Sequence, residues 1–133
     1  MNRSLTLKRK HLDELIEHVD RCAPIEACGL LAGRDSQVDR VITVRNREQS
    51  QVRFVMDPIE QLNALEWIDS SGLELLGIFH SHPAGPETAS PTDILQAAYP
   101  VIHVILAKGK QGWRARGFWI EHGISEEVPL YVE

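Results

Sequence analysis

The chain has 133 residues, 43% hydrophobic and 25% charged, with a net charge of −5 and a pI near 5.7. This is the composition of a soluble globular protein large enough to bury a core, and residues 1–133 are expected to form a single domain. The acidic balance disfavours nucleic acid as a partner, no apolar run is long enough to span a membrane, and Met1-Asn2-Arg3-Ser4-Leu5 lacks the apolar region of a secretory signal.

Leu5-Thr6-Leu7 reads as a short strand. From about Lys8 to Arg21, Leu12, Leu15, Ile16 and Val19 fall on one stripe of an amphipathic helix. His11 and His18 share another face, which is expected to be solvated. Ile25 to Ala32 reads as a buried strand ending at Gly33. Val38 to Val44 alternates like its hairpin partner, turned by Arg34-Asp35-Ser36. Val52 to Met56 reads as a further strand. Asp57-Pro58-Ile59-Glu60 has the form of a capping box with proline at N1, opening a helix to about Ser71. Leu73 to His82 is an apolar, buried strand, broken by the loop residues Pro83-Ala84-Gly85-Pro86. Ser90, Pro91 and Asp93 read as N-cap, N1 and N3 of a short helix reaching Ala98. Val101 to Ala107 is a strongly apolar strand, paired with Trp113 to Glu121 across Lys108-Gly109-Lys110-Gln111-Gly112. Val128 to Val132 reads as a last edge strand. The pattern is α/β (α+β), a mixed sheet flanked by helices, without repeat or linker.

The chemistry concentrates in His80-Ser81-His82-Pro83 and Ser90-Pro91-Thr92-Asp93. Alternate residues of a strand share a face, so His80 and His82 point the same way. The intervening loop is long enough to bring Asp93 back to them. Two imidazoles and a carboxylate supply three protein ligands with a position left open, the pattern of a catalytic zinc site. The same donors also read as a non-haem iron centre. Asp93 can close a capping box with Ser90 as well, and the two roles are compatible because a capped helix end holds the carboxylate rigidly.

Glu26 is the candidate proton carrier, although its own surroundings by themselves favour an ordinary strand-edge glutamate. Cys28 shares its face and reads as a small buried hydrophobe. Cys22 and Cys28 make neither a disulfide framework nor a Cys-x-x-Cys pair, which points to a reduced, cytoplasmic protein. His103, inside an apolar strand, reads either as a satisfied core histidine or as a group supporting a ligand. His122 lies at a turn and is expected to be exposed.

Glu26, His80-Ser81-His82-Pro83, Ser90 and Asp93 together resemble the JAMM motif of the MPN+ metalloproteases, with every element at the expected spacing. Pro24 to Gly33 resembles that family's first core strand, and Phe54-Val55-Met56-Asp57-Pro58 the approach to its second helix. The resemblance implies an MPN-like, cytidine-deaminase-like fold. It implies one zinc ion per chain on His80, His82 and Asp93, with Glu26 as general base and Ser90 as hydrogen-bond donor to the oxyanion. It also implies hydrolysis of an amide bond after the C-terminal Gly-Gly of a ubiquitin-like or sulfur-carrier protein, releasing an amino acid or short peptide. An extended tail would dock by adding to a sheet edge. Exposed edges are also compatible with a homodimer.

Two other readings belong to different classes. A non-catalytic MPN scaffold would normally have lost ligands, and none is lost here. A RadC-like, DNA-repair-associated protein carries a similar motif behind an N-terminal helical DNA-binding region, which this sequence does not show. A zinc nucleobase deaminase needs His-x-Glu and Pro-Cys-x-x-Cys, and neither occurs.

Overall fold

A computed structural model describes residues 3–97 and 99–133. The elements are β1 (Leu5–Leu7), α1 (Arg9–Cys22), β2 (Cys28–Arg34), β3 (Gln37–Val44), α2 (Pro58–Ser70), β4 (Glu74–His82), α3 (Pro91–Gln96), β5 (Ile102–Gly109), β6 (Gly112–Glu121), β7 (Ile124–Val128) and β8 (Leu130–Val132). They form the mixed sheet with flanking helices that the sequence pattern suggests. The expected end of α3 at Ala98 lies outside the described residues. No helix among the described residues is long and apolar enough to cross a membrane.

The sheet has eight strands in the order β7-β6-β5-β4-β2-β3-β1-β8. β4 lies near its middle, antiparallel to β2 and parallel to β5. The last two strands in sequence occupy opposite ends of this order, yet only Pro129 separates them. Two residues span at most about 7 Å, so the sheet must curl until its ends meet. Pro129 has no N–H to give a ladder, but its carbonyl accepts from Leu5 N at 3.2 Å. The expected single strand from Val128 to Val132 is therefore two, split at the proline. β7 was not foreseen because Ser125, Glu126 and Glu127 look like loop. It is held by the ladder to β6 and by the fork of Arg116 on Glu127 at 2.8 and 2.6 Å.

Alternation along the strands sorts side chains to two faces. The inner face gathers Leu5, Leu7, Leu31, Val41, Phe79, Val104, Leu106 and Val128 against Leu15 and Val19 of α1. The outer face packs Cys28, Leu30, Ala32 and Ile78 against Ala64 and Ile68 of α2. His11 is buried rather than solvated, 3% exposed, because it closes the first turn of α1 by accepting from Lys8 N at 3.4 Å. His18 is half-buried and meets Phe79 edge-on. His122 is exposed as expected.

The expected strand Val52–Met56 does not form. Only Met56 makes an isolated bridge, to Asn46. The Asn46 side chain takes the place of a strand partner: Oδ1 accepts from Glu48 N and Val55 N, each at 3.1 Å, and Nδ2 donates to the carbonyls of Arg53 and Glu26 at 3.1 and 3.0 Å. The box at α2 is also half of what was expected. Asp57 caps Ile59 N and Glu60 N, but the Glu60 carboxylate accepts from Arg45 N at 3.0 Å instead of from its own cap.

Gly29 sits opposite Phe79 in the β2–β4 ladder. A Cβ there would lie 2.3 Å from both the Ile42 carbonyl oxygen and a ring carbon of Phe79. Gly29→Ala is therefore expected to lower stability by about 1–3 kcal/mol through overpacking. The check is the urea midpoint; an unchanged midpoint would mean that the ring moves aside freely.

Candidate metal centre and active site

β4 ends in His80-Ser81-His82, and its alternation puts both imidazoles on the outer face with Ile78. They are 0% and 4% exposed, and their Nε2 atoms lie 3.1 Å apart. The loop after Pro83 leads into α3, where Ser90 is the N-cap and Asp93 the N3 residue. Ser90 Oγ accepts from Asp93 N at 3.0 Å, and Asp93 Oδ2 accepts from Ser90 N at 2.8 Å. That same Oδ2 lies 3.1 Å from His80 Nε2 and 3.0 Å from His82 Nε2. Capping and convergence on the imidazoles thus use one oxygen.

The three atoms form a nearly equilateral triangle. The face of a tetrahedral zinc site, with bonds of about 2.0–2.1 Å, has edges of about 3.3–3.4 Å. The chemistry of the donors fits a cation too. His82 Nδ1 lies 2.8 Å from the Pro86 carbonyl oxygen. That contact places the proton of a neutral ring on Nδ1 and turns the lone pair of Nε2 toward the lone pairs of Asp93 Oδ2. A proton between them relieves one edge of the triangle, whereas a cation relieves all three.

The titrations follow. Burial opposes ionisation of Asp93, but the two imidazoles and the Ser90 N–H outweigh it and hold the carboxyl far below the usual range. Burial lowers the pKa of His80. For His82 burial is opposed by Asp93 and the Pro86 carbonyl, and the net direction is up. These directions describe the site without a cation.

Glu26 precedes β2 and is 3% exposed. Donor atoms of Glu26, His80 and His82 all lie within 4.8 Å of one another. Its backbone is fastened on both sides: Glu26 N donates to the Ser50 carbonyl at 2.9 Å, and Asn46 Nδ2 donates to the Glu26 carbonyl. Its Oε1 is buried and unpartnered. Desolvation raises the carboxyl to about 7, against the pull of His82. All five residues singled out in the sequence, Glu26, His80, His82, Ser90 and Asp93, thus belong to one cluster.

Ser81, Phe54 and Asn46 shape the cluster in roles that the sequence reading did not assign, and Cys28 and His103, which it did weigh, lie beside them. Ser81, between the histidines, accepts from Ala27 N at 2.8 Å through Oγ, and its N donates to the Ala27 carbonyl at 3.0 Å. It ties the Glu26 segment to β4. A hydroxyl in the middle of an apolar strand was the available signal, since a buried hydroxyl needs a partner. Phe54 stacks on His80 with ring centroids 4.6 Å apart, and Asn46 orders the loop that carries it. Cys28 is a buried thiol donating to the Val44 carbonyl, pushed up to about 12 by burial. His103 is buried against the cluster and lowered to about 4, first by desolvation and then by His80.

Residues 8–120 match the family described as prokaryotic homologs of the JAB domain. The chain belongs to this family. It is 42% identical over 129 residues to a probable TtuB-protein conjugate cleaving protease of Thermus thermophilus, covering 96% of this chain and 82% of that protein. It is 39% identical over 127 residues to a desampylase of Pyrococcus furiosus, covering 93% and 88%. A CysO-cysteine peptidase of Mycobacterium tuberculosis is 30% identical over 132 residues, covering 96% and 90%. Among solved structures, protein DSY2949 of Desulfitobacterium hafniense superposes with a TM-score of 0.87 at 35% identity, covering 97% of this chain and 92% of the other. A JAMM protein described as having a metalloprotease-like zinc site shares the fold, with a TM-score of 0.64 at 19% identity over 98% and 99%. The JAMM-like motif and the family match therefore agree.

Two outcomes follow from the geometry. Zinc added to chelator-stripped protein is expected to bind at about one ion per chain, and His82→Ala to abolish it; elemental analysis after desalting decides, and equal zinc in both proteins would dissolve the triangle as a site. Stripped of metal, the protein also carries a penalty at Glu26. A carboxyl raised from 4.5 to about 7 by folding lowers stability as pH rises through that interval, and Gln is free of the effect. The stability of metal-free Glu26→Gln relative to wild type is therefore expected to be greater at pH 8 than at pH 5. Denaturation midpoints at the two values check this, and a pH-independent difference would refute it.

Proposed function

We propose that this JAB-domain chain is a zinc-dependent peptidase or isopeptidase that hydrolyses the amide bond after the C-terminal Gly-Gly of a ubiquitin-like or sulfur-carrier protein. The observation that carries the reading is the convergence of three buried ligand atoms beside an unpartnered glutamate raised to about 7. The named relatives, proteases and peptidases acting on protein conjugates or on CysO-cysteine, support the substrate class.

His80, His82 and Asp93 would hold the ion, one per chain, and bound there zinc would supply Lewis acidity toward water and the scissile carbonyl. Glu26 performs the proton transfers. Its carboxylate accepts a proton from the attacking water and gives it to the departing amine nitrogen as the C–N bond breaks. Burial raises this carboxyl before any cation binds, which favours its taking up a proton. Ser90 contributes through the half of its hydroxyl that capping leaves free. Its oxygen accepts from Asp93 N, so its O–H remains able to donate to the oxyanion, an interaction worth about 3–4 kcal/mol in comparable sites.

The free edges of the sheet are remote from this site along the ladder: in the strand order β7 is three strands from β4 and β8 is four. The loop carrying Phe54 and the segment before β2 are the surfaces that flank the cluster. Work in the cytoplasm, without nucleic acid or membrane as a partner, belongs to this proposal, as does the single-domain reading.

Glu26→Gln is expected to keep its zinc and to lose about 10²–10⁴-fold in kcat, because it removes the base and no ligand. The substrate is a carrier protein fused after Gly-Gly to a short peptide, with the released peptide measured by mass spectrometry. Wild-type turnover by the variant would end the general-base assignment.

A further inference from the structure

Among the described residues, His80 and His103 each bury a ring nitrogen without a partner, Nδ1 of His80 and Nε2 of His103. The strands bring the two rings together. β4 and β5 run parallel with Ile78 opposite His103 and His80 opposite Ile105. His80 and His103 are therefore diagonal neighbours on the outer face. Both line a cavity of about 270 Å³ with Phe54, Met56 and Tyr99.

The two nitrogens are chemically complementary. His80 turns Nε2 toward Asp93 and His82. A neutral ring that offers Nε2 to a cation carries its proton on Nδ1, which is then a donor. The backbone carbonyl of Tyr99 lies beside His103 and pulls its pKa up against burial. A neutral His103 ring that carries its proton on Nδ1 leaves Nε2 as an acceptor. His82 already has a support behind it in the Pro86 carbonyl. His80 has only the stacked ring of Phe54.

We propose that His103 is the positioning residue for His80, joined to it by one buried water that accepts from His80 Nδ1–H and donates to His103 Nε2. The cavity has the room and the polar groups that a buried water needs. The link fixes the tautomer and the orientation of His80, as a hydrogen bond behind a ligating imidazole does in metal sites generally. The assignment rests on the zinc reading above and adds a residue that neither the motif nor the triangle contains.

The test compares wild type, His103→Leu and His103→Gln. Zinc affinity is measured by competition with a chromogenic chelator, and stability is measured by thermal melting of the chelator-stripped proteins. His103→Leu is expected to bind zinc about 10–100-fold more weakly. Its stripped form is expected to melt close to wild type, because the hydrogen bond lost at the bridging water is offset by removal of a buried polar ring from apolar surroundings. His103→Gln, whose Oε1 accepts a hydrogen bond, is expected to recover the affinity to within a few-fold. Unchanged zinc affinity in His103→Leu overturns the proposal, as does failure of His103→Gln to recover it. A parallel fall in affinity and stripped-form stability in both variants also overturns it, by marking His103 as a packing residue. Wild-type protein that takes up no zinc overturns the proposed function itself, a result distinct from all of these.

Discussion

Three electron-rich atoms buried against one another impose the constraint around which this protein is arranged. Asp93 Oδ2 and the Nε2 atoms of His80 and His82 stand about 3 Å apart in a region almost closed to water. Left to themselves such groups separate or take up protons. Here they are held from two directions. β4, locked near the middle of the sheet by the seating of Phe79 over Gly29, fixes the imidazoles. The capped first turn of α3 fixes the carboxylate. A cation turns this repulsive geometry into a favourable one, so the fold and the proposed chemistry place the same demand on these residues.

Glu26 depends on a different balance. Its carboxylate is close enough to the imidazoles to act beside them. Burial raises its pKa to the neutral range. That burial is imposed by backbone bonds from three parts of the chain: Ser81 at Ala27, Asn46 at the Glu26 carbonyl and Ser50 at the Glu26 amide. None of these residues does chemistry, yet they set the distance between proton carrier and ligands. The curl of the sheet matters for the same reason. Its edges, joined through Pro129, lie three and four strands from β4 in the strand order.

Much of this was legible in the residue pattern, and the failures are instructive. The histidine pair, the cap at Ser90 and the strand that carries them follow local rules: alternation on a strand, a proline at N1, a carboxylate at N3. Val52–Met56 looked like a strand because β-branched and aromatic residues cluster there, but the Asn46 side chain takes the Arg53 carbonyl and the Val55 amide, and main-chain pairing is confined to a bridge at Met56 and the bond from Arg47 N to the Val55 carbonyl. Ile124–Val128 looked like a loop because its charges lie toward solvent, and its pairing depends on β6, which closes the sheet. His11 looked like a surface residue because a helical wheel shows which residues share a face and not what the face meets.

The sequence by itself determined the donor set, its spacing and the elements that present it, since those depend on contacts a few residues long. The tertiary structure alone decided how close the donors come, how deeply Glu26 is buried and which groups support the ligands from behind. Those quantities arise from contacts such as Ala27 with Ser81, 54 residues apart, and from the β4–β5 pairing that sets His103 beside His80. Such pairs leave no period in the chain. They exist only after the sheet has formed, because hydrogen bonds and desolvation depend on distance in space and not on distance along the sequence.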